Sequence, residues 1–280
     1  MSLATLDYSG IVATTYDLLV TNDAIGDAGY FRDIIRDHGE PALEIGCGTG
    51  RLLLDCVAEG LDVEGVDSSP EMLQICRHKA EQRGLTAAVH AQAMQRLELP
   101  RRFRTLFVPA GSFMLLLDPA DAERALARFH AHLAPGGQVL VALEQPADAA
   151  EPGRARRDAG WRPRRQAVRR EDGATIECWE RVRDDPGRQI RASAIRYTVR
   201  LGDRTIERPE AVQTTRWYSP HQFCRLLERA GFAETAAPSG YTARRAEPGD
   251  AAFVCVGRDL SAQPVSLVRP SRSRAETTAR

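Results

Sequence analysis

The segment Ala42-Leu43-Glu44-Ile45-Gly46-Cys47-Gly48-Thr49-Gly50-Arg51 restricts this chain more than any other stretch. A short apolar run breaks into alternate glycines, and Leu52-Leu53-Leu54 then opens a helix. Strand, tight turn and helix in that order belong to an α/β protein with a parallel sheet. Glycines without Cβ atoms let a ligand approach the turn backbone closely. The N–H groups that start the helix point into the same space. A second strand, residues 61–66, ends on Asp67, 19 residues after Gly48. A carboxylate there can accept both hydroxyls of a ribose. The spacing excludes a dinucleotide turn. G-x-G-x-x-G counted from Gly46 puts Arg51 at the third glycine, and counted from Gly48 it puts Leu53 there.

The pattern Glu44-x-Gly46-x-Gly48-x-Gly50 resembles motif I of class I S-adenosylmethionine (SAM) methyltransferases. Asp67-Ser68-Ser69-Pro70-Glu71-Met72 resembles the second motif of that family, and Leu133-Ala134-Pro135-Gly136-Gly137 with the strand after it resembles the late helix–turn–strand. The resemblance implies a doubly wound Rossmann-like sheet that binds SAM and releases S-adenosylhomocysteine. It implies a cofactor site at Glu44, Gly46, Cys47, Gly48, Gly50 and Arg51, with Asp67 on the ribose and Ser68 or Met72 against the adenine. The family usually carries an acidic residue where Ala93 stands. Adenine recognition then falls to the Met94 backbone or to Gln92. Arg104 stands where the family commonly has Asp, which removes an acidic role there and leaves the fold intact. Tyr16-Asp17-Leu18-Leu19 resembles a helix that lids the cofactor in small-molecule methyltransferases, which places Tyr16, with Tyr8 or Tyr30, toward the ligand.

Five segments follow from composition and patterning. Residues 1–40 read as a helical lid, and 41–150 alternate strand and helix as the cofactor-binding core. Residues 151–216 hold few leucines, and turn signals stand at Asp172-Gly173, Pro186-Gly187 and Gly202-Asp203. Period-two stretches between them predict an inserted antiparallel meander of about four strands. Residues 217–260 give a helix stopped by Gly231 and a last antiparallel strand pair. The tail 261–280 lacks apolar periodicity and is expected to be disordered.

Bulk properties narrow the function classes. The 38 basic and 38 acidic residues cancel, which gives no global attraction to nucleic acid or anionic membranes. Residues 151–220 hold 17 arginines against 11 acids, a local excess whose simplest reading is a solvated arginine face on a one-sided sheet. No stretch is apolar enough to span a bilayer, and nothing before Tyr8 resembles a secretion signal. Six cysteines without CxxC or paired spacing read as reduced, mostly buried thiols, so the expected compartment is the cytoplasm. The six histidines show no metal-ligand spacing either, and each is expected at the surface or in a cap.

The inserted meander resembles the branch that contains glycine/sarcosine and amino-sugar N-methyltransferases, over roughly residues 8–258. That branch implies a small-molecule acceptor, a meander over the acceptor pocket and a possible homodimer through it. Methyl transfer from a sulfonium is an in-line displacement, so the site must align its reactants and exclude water. Glu144 at the end of the fifth strand is the candidate base or amine-orienting carboxylate, and Tyr16 the orienter. Tyr30, Ser112, Arg216, Trp217 and Tyr241 are candidates for the acceptor pocket. No carboxylate set suits a catechol-type metal. Val108-Pro109-Ala110-Gly111-Ser112-Phe113 lacks the planar amide and stacking aromatic needed for a flipped base. A SAM-binding cyclase or a SAM-binding interaction module remains the alternative, since both need the same cofactor motifs.

Overall fold

A computed structural model describes residues 8–146, 160–247 and 249–260. Strand β1 (Ala42–Ile45) is buried at every position, which is possible only at the centre of a sheet covered on both faces. It pairs in parallel with β2 (Val63–Asp67) and with β4 (Phe103–Val108). Next to β2 lies β3 (Val89–Ala91), and next to β4 lies β5 (Leu133–Glu144), both again parallel. Two later strands, β11 (Ala233–Ala236) and β12 (Ala252–Arg258), close the edge in antiparallel sense. The seven-stranded order is β11-β12-β5-β4-β1-β2-β3.

Strand alternation sends residues to two cores. On one face Leu43, Ile45, Leu106, Val139, Val141 and Phe253 pack with helices α6 (Pro119–His132) and α7 (Pro220–Arg229). On the other, Ala42, Phe107, Leu140, Ala142 and Val254 meet α3 (Ala28–His38), α4 (Leu53–Ala58) and α5 (Pro70–Gln82). Helix starts follow the sequence signals. The Ser69 hydroxyl accepts the Met72 N–H at 3.2 Å with Pro70 in the first turn. Ser219 and Gln222 form a reciprocal capping box before α7.

The second sheet is antiparallel, in the order β10-β8-β7-β6, from β6 (Arg162–Val168), β7 (Thr175–Asp185), β8 (Ile190–Leu201) and β10 (Glu210–Arg216). All three expected turns join its strands. One element exceeds the four expected: β9 (Arg204–Glu207) pairs with β8. All four of its residues are exposed, so it carries no apolar alternation to betray it. The inner face buries Ile176, Cys178, Ile195, Tyr197 and Val199 against Val12 and Leu19 of helix α1 (Gly10–Leu19). Short α2 (Asn22–Ile25) links α1 to α3. Helix α1 is therefore the filling between core and meander. Several meander arginines are held within the sheet. Arg191 grips Asp184 at 2.7 and 2.9 Å, Arg169 grips Asp172, and Arg196 pairs with Glu210 and stacks on Trp161 at 4.0 Å. The expectations for residues 1–7, 147–159 and 261–280 fall outside the described residues. Among the described residues no helix is long and apolar enough to cross a membrane.

Candidate functional site

The glycine turn is held against β2. The N–H groups of Gly46 and Cys47 both donate to the Val66 carbonyl, at 2.7 and 3.0 Å. Gly46 has φ +76°, and a Cβ there would lie 2.8 Å from the Ser112 side chain. Glycine is thus required on two counts, backbone conformation and contact with the loop after β4. At the end of β2, Asp67 accepts the Gly48 N–H (2.9 Å) on one carboxylate oxygen and the Ser69 N–H (2.8 Å) on the other. Burial pushes its carboxyl up and these amides pull it back, with burial winning. Each oxygen keeps a second lone pair, which suits a vicinal diol.

A cavity of about 90 Å³ opens beside this carboxylate, lined by Asp67, Ser68, Met72, Gln92, Met94, Ser112, Gly46 and Gly48, and roofed by Tyr8 and Tyr16. Ligand pockets typically run from about 300 Å³ upward, so this one is small. The roof is latched. Asp17 of α1 takes the Thr49 hydroxyl at 2.5 Å and the Lys79 ammonium at 2.8 Å. Ser69 donates to the Tyr8 carbonyl, Glu71 accepts the Gly10 N–H, and Gln213 of the meander donates to the Tyr8 hydroxyl at 3.0 Å. Cutting the latch at Asp17→Ala is expected to raise amide exchange across residues 10–19 severalfold while β1 and β2 stay protected. Unchanged exchange would show that the contacts at Tyr8 and Gly10 and the meander hold α1 without Asp17.

Other expected cofactor residues support the turn from behind and do not line the cavity. Gly50 has φ +79°, and a Cβ there would meet Cys76 Sγ at 2.6 Å. Cys47 is buried and its thiol is pushed well up by desolvation, which fits a packing residue. Arg51 forms a bidentate pair with fully buried Asp27 at 2.6 and 2.8 Å and also donates to Asn22. Glu44 is buried with one carboxylate oxygen unpartnered. Burial pushes it up to about 8, against the pull of Arg51 and the Leu53 N–H. Ala93 is not in the lining, and the Gln92 amide is committed at both ends to the Glu98 backbone.

Glu44 gives the fold a pH dependence with a definite sign. The folded state holds this proton between its ordinary value of 4.5 and about 8, where the unfolded chain has lost it. Its contribution to stability is complete below 4.5 and is lost as pH rises through about 8. Denaturant midpoints for Glu44→Gln are expected to fall less between pH 5.5 and 8.5 than those of the parent chain. Parallel profiles would remove Glu44 as the cause.

The candidate acceptor residues separate into two places. Ser112 lines the glycine-turn cavity. Tyr30, Trp217 and Tyr241 line a larger cavity of about 1470 Å³ that runs around the β11 edge. Tyr30 and Tyr241 stack in an aromatic cluster with Phe31 and Phe107, and Trp217 is core. Arg216 donates to the carbonyls of Leu117 and Arg188, fastening the meander to the core. Glu144 is exposed at the end of β5, within electrostatic reach of Arg191 and Tyr241, and lines neither cavity. Tyr16 faces the cavity with its hydroxyl pushed above the ordinary phenol range by burial. One residue corrects the sequence reading: His132 is buried, its Nδ1 on the Arg128 carbonyl and its Nε2 accepting the Leu99 N–H, so it is a core histidine and not a surface or capping one. Sequence reasoning missed the latch of Asp17, Thr49 and Lys79. It also missed Ala110, a cavity residue at φ 52° whose only sign is its place between Pro109 and Gly111.

Residues 42–137 match the family described as Methyltransferase domain. The chain is 34% identical over 141 residues to dTDP-3-amino-3,6-dideoxy-alpha-D-glucopyranose N,N-dimethyltransferase of Streptomyces fradiae, covering 48% of this chain and 54% of that one. It is 30% identical over 135 residues to dTDP-3-amino-3,4,6-trideoxy-alpha-D-glucopyranose N,N-dimethyltransferase of Streptomyces venezuelae, covering 46% and 55%. The matched part thus spans about half the length of these curated relatives. Among solved structures, the CcbJ methyltransferase of Streptomyces caelestis superposes with a TM-score of 0.75 at 21% identity, over 90% of this chain and 98% of the other. The glycine cradle, the carboxylate of Asp67 and these matches agree: residues 42–137 match a methyltransferase domain, and the fold is of the class I SAM-dependent methyltransferase type with an inserted antiparallel sheet.

Proposed function

We propose that this chain transfers a methyl group from SAM to an amine or hydroxyl of a small, sugar-like acceptor. The observation that carries the reading is Asp67, set at the end of β2 beside the glycine turn with a lone pair left on each oxygen. Met72 and Met94 offer polarizable apolar surface for the purine. The 3-amino deoxysugars in the names of the two Streptomyces relatives favour an amine as the acceptor atom.

Bound SAM supplies a sulfonium methyl carbon open to displacement. The chain's own residues position and shield. Tyr8 and Tyr16 close the cavity from above and exclude water. The Tyr16 hydroxyl remains protonated at neutral pH, so it orients by donating a hydrogen bond and does not act as a base. Neutral amines need no base to attack. An ammonium or a hydroxyl must first lose a proton, and Glu144, the candidate for that role from the sequence, stands exposed outside both cavities.

Calorimetric titration with SAM and S-adenosylhomocysteine, followed by S-adenosylhomocysteine release over a panel of amine, hydroxyl and carbon acceptors, tests this reading. Binding with release on an amino sugar is the expected result. Absence of binding would overturn it.

A further inference from the structure

Strand β10 reaches the surroundings of the glycine-turn cavity at two points. Arg216, its last residue, donates to the Leu117 carbonyl at 2.8 Å, just past Ser112 and Leu115 of the cavity wall. Three residues earlier, the Gln213 amide donates to the Tyr8 hydroxyl at 3.0 Å, and Tyr8 roofs the cavity. Gln213 stands opposite Ser193 of β8, in a strand paired along its whole length, so its backbone is fixed. The Tyr8 backbone is fixed separately. Its carbonyl accepts the Ser69 hydroxyl at 2.7 Å, and Glu71 accepts the Gly10 N–H two residues on at 2.7 Å. Neither bond fixes the ring, which can still turn about its side-chain torsions. Its neighbour Tyr16 meets it only edge-on, with ring centroids 6.2 Å apart. Among the described residues, the bond from Gln213 is what holds the hydroxyl end in place. An amide that donates to a hydroxyl oxygen leaves the hydroxyl proton to be given elsewhere. Burial pushes the Tyr8 phenol up, so it keeps that proton at neutral pH, and a ligand in the cavity can accept it.

We propose that, with SAM in this cavity as the proposed function has it, Gln213 is a positioning residue for the cofactor: it holds the Tyr8 ring over the glycine turn and so sets how long the cofactor stays bound. Gln213 does not line the cavity and acts through Tyr8 alone. The meander is thereby joined to the ribose carboxylate by an unbroken series. The Gln213 amide binds the Tyr8 hydroxyl, the Tyr8 carbonyl binds the Ser69 hydroxyl, and the Ser69 N–H binds Asp67 at 2.8 Å. Such a series couples its two ends in both directions. Whatever steadies β10 slows release of the cofactor, and a bound cofactor steadies β10 through Tyr8. Losing one contact within a binding site acts mostly on the rate of leaving, so the effect belongs to dissociation more than to association.

Two variants of the full chain test this. Gln213→Met keeps the side-chain reach and removes the donor, and Tyr8→Phe removes the same bond from the other side. In the unliganded chain, amide exchange over residues 10–13 is expected to rise severalfold in Gln213→Met, with β1, β2, β7 and β8 at parent rates. Release of bound S-adenosylhomocysteine into excess SAM, followed by stopped flow, is expected to run roughly five-fold faster in Gln213→Met. Tyr8→Phe is expected to release it at least as fast, since it also loses the proton given to the ligand. Adding Gln213→Met to Tyr8→Phe is expected to change the rate no further, because the bond is already gone. A meander loosened in some general way would add the same factor in both backgrounds. That additive result, or parent-like exchange and release in Gln213→Met, would overturn the assignment. A parent chain that binds no S-adenosylhomocysteine would overturn the methyl-transfer reading instead, and the exchange comparison would still decide whether Gln213 holds Tyr8.

Discussion

Calorimetry on Asp67→Ala is expected to show SAM binding weakened by about two orders of magnitude. Two hydrogen bonds from ribose hydroxyls to a charged acceptor contribute on the order of 1.5–3 kcal/mol each, and about 3 kcal/mol is a factor near one hundred. The same change orphans the Gly48 and Ser69 amides, which now donate to that carboxylate at 2.9 and 2.8 Å. Loss of stability therefore accompanies loss of affinity, and the two must be separated. Asp67→Asn separates them. It keeps the side-chain shape and one acceptor oxygen, but turns an N–H₂ toward a neighbouring donor. Intermediate affinity with near-parent melting would place the diol on the carboxylate. Parent-like affinity in both variants would move the ribose elsewhere in the cavity.

The second large effect concerns stability. Arg51→Met leaves Asp27 fully buried without its bidentate partner, and breaking a buried pair from one side costs about 3–5 kcal/mol. Arg51 also lends its positive charge to Glu44, so its removal pushes that carboxyl further up and deepens the loss at alkaline pH. The double variant Asp27→Leu with Arg51→Met is expected to recover most of the loss, because an apolar pair replaces a charge stranded in the core. Urea midpoints on the three chains decide it. A single-variant cost below about 1 kcal/mol would mean that water or movement of α2 rescues Asp27.

The parts of the site that share one local pattern were legible in the chain itself. Apolar run, alternate glycines and leucines encode β1, the turn and α4, and the 19-residue step to Asp67 encodes the neighbouring strand end. Ser69-Pro70 and Ser219-Pro220 carry local helix-start signals, because caps act through residues three apart. What failed was long-range pairing. Arg51 carries no sign of Asp27, 24 residues earlier, and Asp17 none of Lys79, 62 residues later. Tyr30 and Tyr241 look alike as lone aromatics, and only the packing of α3 against the segment between β11 and β12 brings them together at the second cavity. His130 and His132 stand two apart on α6, yet one ring meets Phe232 at 5.0 Å and the other is sealed beneath the Leu99 amide.

Lys79 is the single lysine of the chain, beside 37 arginines. Arginine side chains stay protonated and are poor nucleophiles under the conditions used for amine chemistry. Acylating reagents, reductive methylation and enzymatic acetylation therefore find one side-chain amine, apart from a free α-amino group. That amine is about 30% exposed and is bound to Asp17 of the lid. Any lysine-directed label or neutralising mark placed on the folded protein consequently breaks the tie between α5 and Asp17 of α1, and immobilisation through side-chain amines would tether every molecule at that one joint.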